Sequence, residues 1–296
     1  MTQTTPAQSL NEQFAIPQTV RFENTDTGLP RAVVTTGAAT AVVYLLGAHV
    51  AEYQPADQQP VLFMSREAEL KPGTPIRGGV PICFPWFGLN QDDPTAPMHG
   101  TARTTHWQLT DVSQPDDQRV RLTLTLRVEP FLATYHVTVG PELEMRLRTE
   151  NTGPEPARFE QALHTYFAIS QIRDIEITGL AGLTYLDKPR NFERITQPSE
   201  PIRFAGEVDR VYVNHPGACT LHDPGFKRDI AIEKENANST IVWNPWNEKS
   251  LKMTDLGADE WSGFVCIESG NVADNAVRLA PGDVHEMAAT LRPRPA

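Results

Sequence analysis

Two stretches in the middle of the chain alternate strictly between apolar and polar residues. Residues 120–128 keep this period of two without a break, and residues 143–149 repeat it after a turn at Gly140 and Pro141. Such alternation is typical of antiparallel strands that have one face in a core and the other in water. The chain must therefore build part of its core from a hairpin or meander.

Further short strand-like segments recur between clusters of Gly, Pro, Asn and Asp, at residues 32–35, 41–46, 175–178, 211–213, 230–233, 262–267 and 286–291. The 25 prolines and 19 glycines supply the turns. No stretch keeps a sustained helical period, and no glycine-rich phosphate loop joins a strand to a helix, so nucleotide-binding α/β folds are not expected. The pattern predicts an all-β fold, a large antiparallel β-sandwich.

With 296 residues, 40% of them hydrophobic, the chain can bury a large core. All-β domains of this size are often single. We expect a flexible N-terminal tail at residues 1–19, followed by a single sandwich domain at residues 20–292. We also expect the protein to be a monomer.

The charge of the chain limits its partners. Its net charge is −11 at pH 7, whereas nucleic acids and anionic membranes attract proteins rich in Lys and Arg. Neither is therefore expected as a partner.

The first fifteen residues lack the basic start and apolar stretch of a signal peptide, and three cysteines outside any Cys-x-x-Cys pattern favour neither disulfides nor a zinc site. We expect a reducing, cytoplasmic location.

Two loops in the first third depart from the strand pattern. Residues 75–88 place two adjacent glycines, three prolines and three aromatic residues around one cation, Arg77. A rigid backbone that approaches a ligand closely would explain this composition. Shortly afterwards, His99 and Arg103 lie four residues apart, on either side of Gly100. Because a sugar ring binds to aromatic faces beside fixed polar groups, these loops indicate a sugar pocket.

Two ionisable residues interrupt otherwise apolar segments. His164 lies within residues 162–167 and Glu268 within residues 266–271. Burying charge is costly, and a proton-transfer site is one reason for a protein to accept that cost. The two residues are therefore interpreted as an acid and a base. A histidine titrates near neutral pH and a nearby carboxylate favours its protonated form, so the pair can be poised together in the cytoplasmic pH range. A lone histidine in a strand is nevertheless more often structural.

Six segments carry a family resemblance as a set, residues 76–88, 99–103, 163–167, 208–212, 242–246 and 264–271. Together they resemble the D-hexose-6-phosphate mutarotase branch, also called glucose-6-phosphate 1-epimerase, of the aldose 1-epimerase family. The resemblance implies a galactose-mutarotase-like super-sandwich that exchanges the α and β anomers of a hexose 6-phosphate, with glucose 6-phosphate as the expected substrate. It implies acid/base ring opening without a metal or other cofactor.

By position, the resemblance implies that His164 is the acid and Glu268 the base. It also implies four substrate-binding residues, Arg77, Arg103, His99 and Asp209. The two arginines would bind the phosphate through charge-assisted hydrogen bonds, although surface ion pairs are the commoner fate of arginine. For Asp209, a solvated turn is the competing interpretation.

One position departs from the pattern of this branch. Met98 stands where glutamine is common, directly before His99. Either a hydrogen bond to the substrate is lost, or a neighbour such as Asn90 or Gln91 replaces it. The departure concerns sugar preference more than chemistry.

Two other classes of function stay open. A noncatalytic carbohydrate-binding or sugar-phosphate-binding module would keep the aromatic residues and arginines without needing an acid and a base. A metal-dependent sugar-phosphate isomerase on a β-barrel would need clustered ligands such as His-x-His with a carboxylate. The sequence contains no such cluster.

Overall fold

A computed structural model describes residues 6–296. The described residues form mainly short strands. The strands are β1 (Val20–Asn24), β2 (Pro30–Thr35), β3 (Ala39–Tyr44), β4 (His49–Pro55), β5 (Ile82–Cys83), β6 (Gln108–Asp116), β7 (Arg119–Val128), β8 (Phe131–Val139), β9 (Leu143–Asn151), β10 (Ala157–Phe159), β11 (Gln161–Leu163), β12 (Tyr166–Ala168), β13 (Glu176–Thr178), β14 (Thr184–Asp187), β15 (Glu193–Thr196), β16 (Val208–Tyr212), β17 (Cys219–Asp223), β18 (Arg228–Glu235), β19 (Ser239–Asn244), β20 (Phe264–Asn271), β21 (Val277–Leu279) and β22 (Val284–Pro295).

Helices are few and short. The α-helices are α1 (Pro6–Phe14) and α2 (Trp246–Ser250). Single 3-10 turns lie at Ala102–Thr104, Lys188–Arg190, Glu260–Gly263 and Ala273–Asn275. Among residues 6–296, no helix has the length and apolar character required to cross a membrane.

Two eight-stranded sheets dominate the architecture. The site sheet has the order β15-β14-β16-β19-β20-β11-β5, with β12 also paired to β20. The backing sheet has the order β13-β17-β18-β22-β9-β8-β7-β6, and smaller sheets join β1 to β4 and β10 to β21. Neighbouring strands in both large sheets are antiparallel. The predicted all-β sandwich is confirmed.

The alternating stretches form a meander of the backing sheet, as predicted. Strands β7, β8 and β9 follow one another in chain order and in the sheet. Buried and partly exposed residues alternate along β9, where Leu143 and Met145 are fully buried. These side chains join Val265 and Ile267 of the site sheet in the main core. The opposite face of the site sheet is therefore free to line a cavity.

The N-terminal segment differs from the predicted flexible tail. Residues 1–5 lie outside the described residues, but Pro6–Phe14 form helix α1. Ala7 is buried, and the Asn11 side chain both donates to the Phe22 carbonyl at 2.7 Å and accepts from its backbone N–H at 2.8 Å. The helix thus covers the edge strand β1. Its polar composition hides the period that marks a helix in sequence.

Candidate active site

Strand register brings the two predicted proton-transfer residues together. Strands β11 and β12 pair with different parts of β20 in one continuous register. His164 lies in the gap between β11 and β12, directly opposite Glu268 of β20. Facing residues of antiparallel strands share one side of the sheet. His164 Nε2 lies 3.4 Å from Glu268 Oε1, and both side chains are buried.

The same register directs Asp209 towards this pair. Asp209 of β16 pairs with Trp243 of β19, which pairs with Cys266 of β20, two residues before Glu268. Side chains two positions apart on a strand point to the same face. Asp209 therefore shares a face of the site sheet with Glu268, opposite to Ile267 in the main core.

Arg77 reaches the site from a loop whose backbone is packed closely against strand β4. Gly78 and Gly79 have positive φ angles of 113° and 56°. A side chain at Gly79 would collide with the Val50 carbonyl and, at 2.6 Å, with the His49 ring. Only glycine meets both requirements without strain. The glycine pair singled out in the sequence therefore places Arg77.

The Arg77 guanidinium is held on two sides. Its Nε and Nη2 donate to Asp255 Oδ2 at 3.1 and 2.9 Å, and its Nη1 donates to the Tyr166 hydroxyl at 2.8 Å. The Tyr166 ring stacks on His164, with centroids 4.9 Å apart and planes 12° from parallel. Arg77 therefore supports the orientation of His164 as well as lining the site.

His99 presents a defined face to the pair. The Gly88 backbone N–H donates to His99 Nδ1 at 3.2 Å, which leaves the proton of the neutral ring on Nε2. The His99 and His164 rings meet edge to face at 5.6 Å. Burial lowers the pKa of His99 well below its usual value, and nearby Arg103 lowers it further. His99 is therefore suited to donate a hydrogen bond to a sugar oxygen.

Arg103 stands apart from the other cations of the site. Its Nη2 donates to the Met98 carbonyl at 2.7 Å, and its buried Nε has no hydrogen-bond partner. Within the described part of the chain, no carboxylate forms an ion pair with Arg103. An unpaired guanidinium beside a buried site is well placed to bind an anionic ligand.

All six residues predicted for the site line one cavity of about 420 Å³. The structure brings them together, whereas their roles stay predictions. Four cations line this cavity in a chain of net charge −11, namely Arg77, Arg103, Lys188 and Lys249. The carboxylates that line it are Asp209 and Glu268. Three of these cations form ion pairs, Arg77 with Asp255, Lys188 with Asp209 and Lys249 with Glu207. Among the described residues, Arg103 is therefore the lining cation without a carboxylate partner.

Asn90 and Gln91 do not lie where they could replace the glutamine that is common at the position of Met98. Met98 lies at the cavity mouth and is 50% exposed. Neither Asn90 nor Gln91 lines the cavity, and the Asn90 side chain instead accepts the backbone N–H groups of Asp92 and Asp93. The prediction that one of them takes over the glutamine contact is not supported by their positions.

Several residues of the cavity wall were not singled out from the sequence, among them Lys188, Phe192 and Trp243. Trp243 lies in one of the segments that carry the family resemblance, whereas Lys188 and Phe192 lie on a short connection without a motif. Of the aromatic residues in the segments that carry the resemblance, Phe87 lines the cavity, whereas the Trp246 ring packs against Trp261 with centroids 4.7 Å apart. Among residues 6–296, no three His, Cys, Asp or Glu side chains are grouped so as to hold a metal ion.

Burial opposes the charges of the acid/base pair. It lowers the pKa of His164 well below its usual value, and the neighbouring cations and His99 act in the same direction. Burial likewise raises the pKa of Glu268 well above its usual value, although Lys188 opposes this effect. Burial thus opposes the charged forms of both residues, an effect that the sequence-based expectation of a poised pair did not include.

Comparison with known proteins agrees with this geometry. The family model described as aldose 1-epimerase matches residues 30–292. The chain belongs to the aldose 1-epimerase family. It is thus an epimerase with the sandwich fold of mutarotases, and the resemblance drawn from its sequence is confirmed.

Relatives of this aldose 1-epimerase cover most of its length. A protein from Cenchrus ciliaris, provisionally named glucose-6-phosphate 1-epimerase, is 32% identical over 278 residues, 88% of this chain and 83% of that protein. An Escherichia coli K12 protein with the same provisional name is 31% identical over 241 residues, 78% of this chain and 79% of that protein. The crystal structure of a provisionally named mutarotase from Salmonella typhimurium matches with a TM-score of 0.88 at 27% identity, covering 96% of both chains.

Proposed function

We propose that this enzyme interconverts the α and β anomers of a hexose 6-phosphate, with glucose 6-phosphate as the substrate. The observation that carries the proposal is the buried His164–Glu268 pair, 3.4 Å apart, in a cavity lined by four cations. The pair supplies the proton transfers that anomer exchange requires, and the cations favour a phosphorylated sugar. The provisional names of the relatives from Cenchrus ciliaris and Escherichia coli support the same substrate.

The reaction opens and recloses a cyclic hemiacetal. Glu268, as carboxylate, takes the proton of the C1 hydroxyl, while protonated His164 gives its proton to the ring oxygen and the bond from C1 to that oxygen breaks. The open aldehyde rotates about the C1–C2 bond. Reclosure on the other face returns the ring-oxygen proton to His164 and the Glu268 proton to the C1 oxygen. Both reacting oxygens are bonded to C1, so neighbouring acid and base groups can reach them together.

Proton transfer during ring opening leaves neutral His164 and protonated Glu268, the forms that burial favours. The open form therefore does not require two buried charges. Before opening, the negative charge of a bound phosphate opposes the cavity cations and so favours protonation of His164. Lys188 favours the carboxylate form of Glu268. Substrate binding thus helps to prepare the pair.

We assign the contact with the substrate phosphate to Arg103 rather than to Arg77. Its guanidinium has no carboxylate partner in the described chain, whereas Arg77 is occupied by Asp255 and Tyr166. A phosphate can accept paired hydrogen bonds from one guanidinium. We assign Arg77 to the sugar side of the site, where it also supports His164, and His99 and Asp209 to the sugar hydroxyls.

The proposal is tested by one-dimensional exchange NMR on freshly dissolved α-glucose 6-phosphate, with and without the protein. We expect the approach to anomeric equilibrium to accelerate in proportion to enzyme concentration, and EDTA to leave the rate unchanged. Binding of the sugar phosphate without any acceleration would instead favour a noncatalytic binding module. Free α-glucose serves as the comparison substrate and should be exchanged less efficiently.

Location and assembly belong to the same proposal. We infer a cytoplasmic enzyme, in keeping with three buried cysteines that are free thiols. We also infer a monomer, which size-exclusion chromatography with light scattering would test.

A further inference from the structure

Lys188 enters the cavity from a connection with unusual backbone geometry. Residues 187–193, here called the strap, join strand β14 to the edge strand β15 of the site sheet. Asn191 and Phe192 in the strap have positive φ angles of 52° and 61°. Asn tolerates this region, but a bulky aromatic residue adopts it only at a cost. The strap is therefore held in a strained form at the cavity mouth, which Phe192 lines with 57% of its surface exposed.

Two contacts fix the Lys188 ammonium group. Nζ lies 3.1 Å from Asp209 Oδ1 and 4.9 Å from the centroid of the Phe87 ring. The Lys188 side chain is only 24% exposed and the Asp209 side chain only 13% exposed. A carboxylate and an aromatic face both favour a fixed cation at this depth. Lys188 is thus a built part of the cavity wall rather than a mobile surface lysine.

Several groups act on Glu268 from the elements packed around it. Lys188 from the strap and Arg103 from its loop favour the carboxylate form, whereas Asp209 of β16 opposes it. His164 lies 3.4 Å away. The other titratable neighbours are neutral at physiological pH, namely Cys83, Cys266 and Tyr166. Of the two cations, Lys188 has the larger effect on Glu268. Lys249 lines the same cavity but lies 2.6 Å from Glu207, and its side chain is 44% exposed, so its charge is screened by an ion-pair partner and by solvent.

We propose that Lys188, held in the cavity by Asp209 and the Phe87 ring, is a positioning residue that favours the carboxylate, base-competent form of Glu268 when substrate is bound. This role rests on the proposed function, because it concerns the base of that reaction. Asp209 then has two roles, because its carboxylate binds a sugar hydroxyl and also fixes the position of Lys188. The cost of burying a carboxylate at Glu268 is thereby partly offset by a fixed neighbouring cation.

The test compares Lys188→Met and Lys188→Arg, with Lys249→Met as the matched control. Lys249→Met removes the same charge from the same cavity. The pH at which the Glu268 carboxyl group titrates is followed by ¹³C NMR in the unliganded proteins, with its signal assigned by its loss in Glu268→Gln. The pH profile of kcat/KM for glucose 6-phosphate is measured in parallel.

Lys188→Met should move the Glu268 titration to higher pH and lower kcat/KM on the acid side of the profile about tenfold, the effect of one partly buried charge. Lys188→Arg should restore both, and Lys249→Met should leave the titration where it is in the parent. An unchanged Glu268 titration in folded Lys188→Met would overturn the inference. If the parent failed to exchange glucose 6-phosphate, the proposed function would fail, but the NMR titration would still decide the role of Lys188.

Discussion

Replacing Arg103 with alanine should remove the preference for a phosphorylated sugar. Its Nη2 donates to the Met98 carbonyl, and among the described residues no carboxylate forms an ion pair with it, so the change leaves no ion-pair partner behind. The loss then measures the missing contact to the phosphate. Charge-assisted hydrogen bonds contribute roughly 1.5–3 kcal/mol, which corresponds to a loss of about 10- to 150-fold in kcat/KM for glucose 6-phosphate.

Arg77→Ala should behave differently. It removes the partner of Asp255, whose side chain is only 22% exposed, and of the Tyr166 hydroxyl. Because Tyr166 stacks on His164, the acid of the pair also loses support. We expect activity on glucose and on glucose 6-phosphate to fall together, with a lower melting temperature, since a partly buried acid is left unpaired.

The assay measures kcat/KM for anomer exchange of both sugars by exchange NMR. Arg119→Ala is the control, because this exposed arginine is paired with Asp116 on the backing sheet and should have no effect. Equal losses on the two sugars in Arg103→Ala would refute the assignment of this arginine to the phosphate. If Arg77→Ala instead lost activity on glucose 6-phosphate alone, the phosphate contact would belong to Arg77 and the sugar contact to Arg103.

Three further predictions follow from the buried pair. The pH profile of kcat/KM should be bell-shaped, because the pair is active with one proton and inactive with two or none; a flat profile between about pH 5 and 9 would contradict this. The pKa of Glu268 is raised in the folded state, so the free energy of unfolding falls as the pH rises towards that pKa. Glu268→Gln, which stays neutral, should therefore melt no lower than the parent at pH 8. A clear decrease in its melting temperature would contradict this sign. EDTA should leave kcat unchanged, because acid/base ring opening needs no metal; a loss restored by Zn²⁺ or Mn²⁺ would support a metal-dependent isomerase instead.

Much of the fold was readable in sequence because antiparallel strands repeat every two residues. The meander of β7 to β9 followed from alternation alone, and the glycine pair beside Arg77 marked a real backbone constraint. His164 and Glu268 stood out because each interrupts an apolar segment. Their direct opposition in the sheet could not be predicted, since register depends on pairings between residues about a hundred positions apart.

The remaining features depend on tertiary structure. Lys188 has no motif around it, and only the path of the strap brings it to Asp209. The effect of burial on the pair could not be read from sequence, where only the mutual attraction of a histidine and a carboxylate is visible; burial lowers the pKa of His164 and raises the pKa of Glu268. Helix α1 was missed because its buried surface is small and its residues are mostly polar.

The central claim is that His164 and Glu268 exchange anomers by acid/base catalysis. The most direct measurement is the exchange rate of α-glucose 6-phosphate with the parent, His164→Ala and Glu268→Gln, each shown to be folded by circular dichroism. We predict that the parent accelerates exchange and that each variant lowers kcat by about 10²- to 10⁴-fold, the usual contribution of a general acid or base. A folded variant that retained the rate of the parent would contradict the role of the residue it lacks.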